Sequence, residues 1–147
     1  MNPTPKGWPR ISSSLYYEDP HRAIEWLQKA FGFELRLKIE GDAGQVMHSE
    51  LTYGEGLIMV SGKKDNHAEG KYPFFASPRD VGGKNTQNMM VYVDDIEAHH
   101  ACAVAGGAKV IDPISLHDYG EAYWADRSYG CSDYEGHHWW FTQRIRG

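Results

Sequence analysis

The stretch Ser12-Ser-Ser-Leu-Tyr-Tyr-Glu-Asp19-Pro-His-Arg-Ala-Ile-Glu-Trp-Leu-Gln-Lys-Ala-Phe-Gly32 holds a strand, a helix start and a helix stop in sequence. Residues 10–17 alternate enough to form a strand. Asp19 offers a side-chain acceptor to the free N–H groups of a first helical turn, and Pro20 suits the first helical position, where its missing donor costs nothing. Ala23, Ile24, Leu27, Ala30 and Phe31 then recur on one face, and Gly32 ends the helix. Residues 33–39, 46–53 and 57–61 follow as three strands, divided by Gly41-Asp-Ala-Gly44 and by Gly54-Glu-Gly56. The unit reads β-α-β-β-β.

The same order returns further along. Residues 88–93 form a strand and 96–105 a helix, with Asp94 as cap, Glu97 three residues on and Gly106-Gly107 as the stop. Strands at 109–111, 122–132 and 138–143 complete the set. The spacing that carries Asp19 to Asp95 also carries Tyr16 to Tyr92 and Ser12 to Asn88, so strand, cap and stop repeat together. The expected architecture is α+β: a tail at 1–9, a first βαβββ module at 10–62, a polar, Gly-rich linker or excursion at 63–86, and a second module at 87–147. One compact domain overall is expected from this length. Phe74 and Phe75 argue that part of the excursion packs down.

Composition excludes several classes of function. A formal charge of −5, with Lys63-Lys64 as the longest basic cluster, lacks the clustered cations that phosphate backbones require, so no nucleic acid is expected as partner. No apolar run approaches membrane length, no membrane partner is expected, and the N-terminal residues lack a signal-peptide core. The expected location is cytoplasmic, with Cys102 and Cys131 reduced. Five Trp and nine Tyr supply material for a core and for an aromatic-lined pocket.

The chemistry concentrates between Tyr119 and Phe141, where eight aromatics, a D-x-x-G turn and several charges fall in one apparent hairpin. Together with Ala23-Ile-Glu-Trp-Leu-Gln-Lys-Ala-Phe-Gly-Phe33, Val91-Tyr-Val-Asp-Asp95, Ala105-Gly-Gly-Ala-Lys-Val110 and Asp133-x-x-Gly-His-x-Trp139, it resembles the vicinal oxygen chelate superfamily of glyoxalases, bleomycin-resistance proteins and extradiol dioxygenases. Trp124, Asp126, Arg127, Tyr129, Gly130, Asp133, Gly136, His137 and Trp139 are similar to one branch's pattern. Ser128, inserted before the Tyr, and Tyr134, in place of a Pro, depart from it.

The resemblance implies two modules forming a curved mixed sheet around a concave cavity, and a homodimer. It also implies metal-ligand positions on the first and last strand of each module. Carried over by spacing from the helix caps, these fall on Ser12 and Asn88, on Met59 or Val60, and on Trp140. None is a usual ligand for a divalent metal, which takes imidazole, carboxylate or thiolate. The expected cofactor is therefore none. The leading reading is a protein that binds or sequesters a small aromatic or amphipathic molecule, as the antibiotic-resistance members do. The alternative is a metal-dependent lyase or dioxygenase using His48, Glu50 and His138 around a divalent metal. A third is an interaction module whose cavity is filled by side chains.

Period-two alternation puts Ser12, Ser14 and Tyr16 on one face, Asn88, Met90 and Tyr92 on its repeat, and Trp140 with His138. The resemblance implies that these face the ligand; the plain alternative is ordinary core. Trp124 shares parity with Asp126. Arg127 suits an anionic or carbonyl anchor through its paired donors, with a structural ion pair as the competing reading, and its parity sets it opposite Trp124 unless a bulge intervenes. His21, His99 and His100 fall on helices and are expected to be solvated. No nucleophile or phosphate-loop motif occurs.

Overall fold

The computed structural model describes residues 1–62 and 74–147, so Lys63-Lys64 and the first part of the expected excursion lie outside the described residues. The chain divides into two compact units, Met1–Val81 and Gly82–Gly147. The first contains β1 (Ser13–Tyr17), α1 (Pro20–Phe31), β2 (Glu34–Glu40), β3 (Val46–Tyr53) and β4 (Gly56–Gly62), then a short 3-10 turn at Pro78–Val81. The second contains β5 (Met89–Tyr92), α2 (Ile96–Ala105), β6 (Lys109–Asp118), β7 (Ala125–Ser132) and β8 (His138–Arg146). The fold is α+β, and each unit carries a four-stranded mixed sheet with the first strand parallel to the last: order β1-β4-β3-β2 in one, β5-β8-β7-β6 in the other.

The repeat holds at the level of register. Ser13 pairs with Ile58 and Ser14 with Met59; in the second unit Met89 pairs with Trp139 and Met90 with Trp140. Across the hairpins Leu51 faces Ile58 and Cys131 faces Trp139. Met59 and Trp140 are therefore counterparts, and so are Glu50 and Gly130.

Local chemistry accounts for the helices. The Arg22 N–H donates to Asp19 Oδ1 at 3.1 Å, Pro20 opens α1, and Gly32 at φ 80° lets its own N–H and that of Phe33 return to the Gln28 and Leu27 carbonyls. The apolar stripe of α1 is fully buried against the sheet face carrying Leu15, Tyr17, Leu51 and Val60. Ser49, the polar exception there, both donates to the Val60 carbonyl at 2.6 Å and accepts the Val60 N–H at 3.0 Å.

In the second unit the cap is Asp95, which accepts the Ala98 N–H at 3.0 Å; this corrects the expectation of Asp94. Glu97 consequently closes no capping box and pairs instead with Arg127. Gln143 on β8 accepts the Ile96 N–H at 3.1 Å and so ties the start of α2 to the sheet. His99 and His100 are only half-buried and pack on the core, contrary to expectation. His99 lies 4.1 Å from the Phe141 ring and is 2.7 Å from the Tyr129 hydroxyl, while the His100 ring meets that of Tyr129 edge-on. These contacts depend on Tyr129 of β7 and Phe141 of β8, both far from α2 in sequence.

Strand lengths differ most at β6, which runs from Lys109 to Asp118 rather than stopping at 111. Pro113 is tolerated because β6 is an edge strand and the pairing with β7 shifts between Asp112 and Ser115. Ser12 and Asn88 fall just ahead of β1 and β5. None of the described helices is long and apolar enough to cross a membrane.

The D-x-x-G turn has a structural job. Asp133, 4% exposed, accepts the N–H groups of Glu135, Gly136 and His137 on Oδ1 and the Trp139 indole N–H on Oδ2, all within 3.1 Å. Gly136 takes φ 99°, a left-handed conformation that a side chain would strain. The motif thus seats Trp139 in the core and sets the register of β8. Burial, and to a lesser degree the Asp133 charge, pushes the neighbouring Cys131 thiol up to about 12, so it stays protonated.

Candidate functional site

Alternation along β5, β7 and β8 separates two faces of the second sheet. Tyr129, Cys131, Trp139 and Phe141 are buried on the side of α2, where His99 meets Tyr129 and Phe141. The opposite parity carries Met90, Tyr92, Asp126, Ser128, Trp140 and Thr142. With His117, Tyr119 and Trp124 these border an open cavity of about 410 Å3.

Trp140 lies flat across β7 because its cross-strand partner is Gly130: a Cβ there would come within 3.3 Å of the Trp140 ring and 3.0 Å of the Asp112 carboxylate. Beneath it the Ser128 and Thr142 hydroxyls bond each other at 2.9 Å, which satisfies two buried polar groups without offering them to a ligand. Trp124 is held at the rim. Its carbonyl accepts the Tyr119 N–H at 3.0 Å and its ring lies 5.3 Å from that of Tyr119. Gly120, at φ 95°, turns the chain between them.

Arg144 stands beside the cavity, held by three of the residues that border it. Its Nε donates to Asp126 Oδ1 and its Nη2 to the Tyr92 hydroxyl, both at 2.6 Å, and the guanidinium sits 5.3 Å from the Trp124 ring and 5.5 Å from that of Tyr92. The hydrogen bond to Asp126 holds the Arg144 guanidinium above its ordinary pKa, so it is charged throughout the accessible range.

Of the residues expected to contact a ligand, Met90, Tyr92, Trp124 and Trp140 come together here, and Asp126 joins them by the parity it shares with Trp124. Arg127 points the other way and pairs with Glu97 on α2. Asn88 is exposed ahead of β5 and does not border the cavity. Ser12, Ser14 and Tyr16 belong to the first unit, where Ser14 Oγ lies 3.9 Å from Met59 Sδ and Tyr16 stacks on Phe75 at 4.5 Å. Ser12 Oγ is buried with no hydrogen-bond partner among the described residues. Sequence reasoning missed Arg144, because β8 was expected to end at 143; extending the strand one residue puts Arg144 in parity with Trp140 and Thr142.

His48 and Glu50 do meet, at 2.9 Å, but the other Glu50 oxygen takes the Arg36 Nε at 2.6 Å. Burial pushes the Glu50 carboxyl up, yet the hydrogen bonds from His48 and Arg36 outweigh it and hold it below its ordinary value of 4.5. Both oxygens of a buried, ionised carboxylate are thus already occupied. His138 stands on β8 of the second unit with its ring edge-on to Trp140 at 5.6 Å. Among the described residues no three His, Cys, Asp or Glu side chains form a group that could hold a metal.

Comparison with known proteins agrees with this architecture. The family model described as Glyoxalase/Bleomycin resistance protein/Dioxygenase superfamily matches residues 10–141. The chain is 32% identical to TioX from Micromonospora sp. ML1, covering 92% of this chain and 95% of that one with a TM-score of 0.66. It is 26% identical to the uncharacterized protein Rv0887c of Mycobacterium tuberculosis over 94% of this chain and 76% of that protein. FosX, a fosfomycin resistance protein of Listeria monocytogenes, has the same fold with a TM-score of 0.61 over 92% of this chain and 93% of its own, at 12% identity. The chain belongs to the glyoxalase/bleomycin resistance protein/dioxygenase superfamily.

Proposed function

We propose that the chain binds a small, partly aromatic or amphipathic molecule in the second unit's cavity, and that it works by binding rather than by metal-dependent catalysis. One observation carries the reading: Tyr92, Trp124 and Met90 stay 48%, 39% and 54% exposed on the sheet face that also bears Trp140. Leaving such rings in water forgoes about 25 cal/mol for every Å2 of apolar area that could be buried, a cost that a ligand of matching shape removes.

The donor chemistry supports the second half of the proposal. Ser12, Asn88, Met59 or Val60, and Trp140, which the resemblance makes the metal positions, offer hydroxyl, amide, thioether or alkyl, and indole groups, a set that does not fit a divalent ion. A homodimer belongs to the same reading, and sedimentation of the purified protein tests it.

The binding test is a titration of tryptophan fluorescence with planar aromatic compounds, using the native chain and Trp140→Ala. Saturable quenching that the substitution weakens is the expected result. An emission spectrum that no compound in a broad panel shifts would sink the proposal, and stoichiometric tightly bound metal in the purified protein would sink its non-catalytic half.

A further inference from the structure

We infer that Arg144 makes the second unit's cavity selective for planar aromatic molecules bearing an uncharged hydrogen-bond acceptor, such as an amide or ketone carbonyl, over their hydrocarbon and carboxylate counterparts. The inference rests on the ligand-binding reading above and adds the polarity of the ligand.

The first support is donor supply. A guanidinium has five N–H groups, and Arg144 directs one to Asp126 and one to Tyr92, which leaves three without a partner among the described residues. The side chain remains 37% exposed and rests on three residues that border the cavity, Tyr92, Trp124 and Asp126. The second support is preorganisation. Two hydrogen bonds and the faces of Trp124 and Tyr92 fix the planar group, so little rotamer freedom is lost when a ligand takes up the remaining donors. The flanking rings also dictate where an acceptor sits on a ligand: at the edge of a ring system that packs against Trp124 and Tyr92.

The third support is charge. Asp126 is only 8% exposed and lies 2.6 Å from the Arg144 Nε, so the guanidinium beside the cavity is already half of an ion pair. A carboxylate ligand would surrender its hydration to face a cation already matched by an anion. A carbonyl accepts the same N–H groups without that loss.

The test measures dissociation constants for three probes, 2-naphthamide, 2-naphthoate and 2-methylnaphthalene, with the native chain, Arg144→Lys and Asp126→Asn. In the native chain the amide should bind about tenfold tighter than the hydrocarbon, the scale of one hydrogen bond to a charged donor, and tighter than the carboxylate. In Arg144→Lys, which keeps a cation for Asp126 but loses the planar fork, the amide-to-hydrocarbon ratio should fall to about two or less. Asp126→Asn leaves the guanidinium unmatched and should bring naphthoate level with or ahead of the amide. Equal affinity for amide and hydrocarbon in the native chain, an amide preference that survives Arg144→Lys, or tightest native binding by naphthoate would each overturn the inference while leaving the ligand site intact. Absence of binding by all three probes would overturn the ligand site itself.

Discussion

The two units share a topology and a register, yet they treat the sheet face away from the helix in opposite ways. In the first unit the chain packs part of itself against that face. Trp8 stacks on His48 at 6.4 Å and lies under the Arg36 guanidinium, Arg36 also donates to the Gly7 carbonyl, and Phe75 stacks nearly parallel on Tyr16. In the second unit the equivalent face presents Tyr92, Trp124 and Trp140 around an open cavity. The counterparts Glu50 and Gly130 mark the divergence: one fills the middle of its sheet with a buried, doubly bonded carboxylate, and the other leaves room for an indole to lie across it. A duplicated scaffold can therefore pack side chains on one copy's face and leave a cavity on the other's, since topology constrains neither choice.

The sharpest way to break this comparison is at the turns that close the two units. The first unit reverses between Tyr53 and Gly56 through Gly54 at φ 55°, a backbone solution. The second depends on the Asp133 carboxylate. Asp133→Ala should cost about 3 kcal/mol, because three backbone N–H groups and a buried indole lose their acceptor at once. A urea midpoint unchanged from the native chain would refute that role.

Ligand binding should divide along the same line. Trp140→Ala should weaken a planar aromatic ligand by about tenfold or more, the usual loss for an aromatic anchor. Trp8→Ala, in the first unit, should change affinity by less than about twofold, within the range of remote substitutions. Comparable losses in both variants would mean that the first unit's face is part of the site.

The Glu50 cluster sharpens the structural half. A carboxyl whose folded pKa is depressed stabilises the fold fully above its unfolded value, here 4.5, and loses that contribution as pH falls through the lower folded value. The native chain should exceed Glu50→Gln in stability at pH 7 by about 1 kcal/mol, and the gap should shrink below pH 4.5. A gap of constant size across denaturation curves at the two pH values would remove the ionised pair from the account. The smallest effect belongs to Gly130→Ala, whose added methyl must displace Trp140 by a few tenths of an ångström. A loss of about threefold in ligand affinity with little change in stability is expected; unaltered affinity would show that the ring's seat does not matter.

Much of this was legible in the chain, for reasons that differ from element to element. The span of α1 follows from Asp19, Pro20, the apolar stripe and Gly32, all local signals that tertiary packing had no cause to override. β3 came out at its observed bounds because its flanking turns carry glycine. β6 did not, since Pro113 reads as a strand end unless the strand is known to lie on an edge. Likewise, parity grouped Trp124 with Asp126 correctly, while the choice of Arg127 over Arg144 turned on where β8 ends.

By itself the sequence determined the two modules and their helix spans, which periodicity and capping set within a few residues, and its motifs carried the resemblance to the family. Only the tertiary structure decided that Arg144 rather than Arg127 joins Asp126 and Tyr92 beside the cavity, that Glu50 is consumed by Arg36 and His48, and that Trp8 and Phe75 pack on one sheet while Tyr92, Trp124 and Trp140 border a cavity on the other. Those outcomes depend on strand register, edge position and contacts between residues far apart in the chain, and no local pattern encodes which distant side chain will arrive.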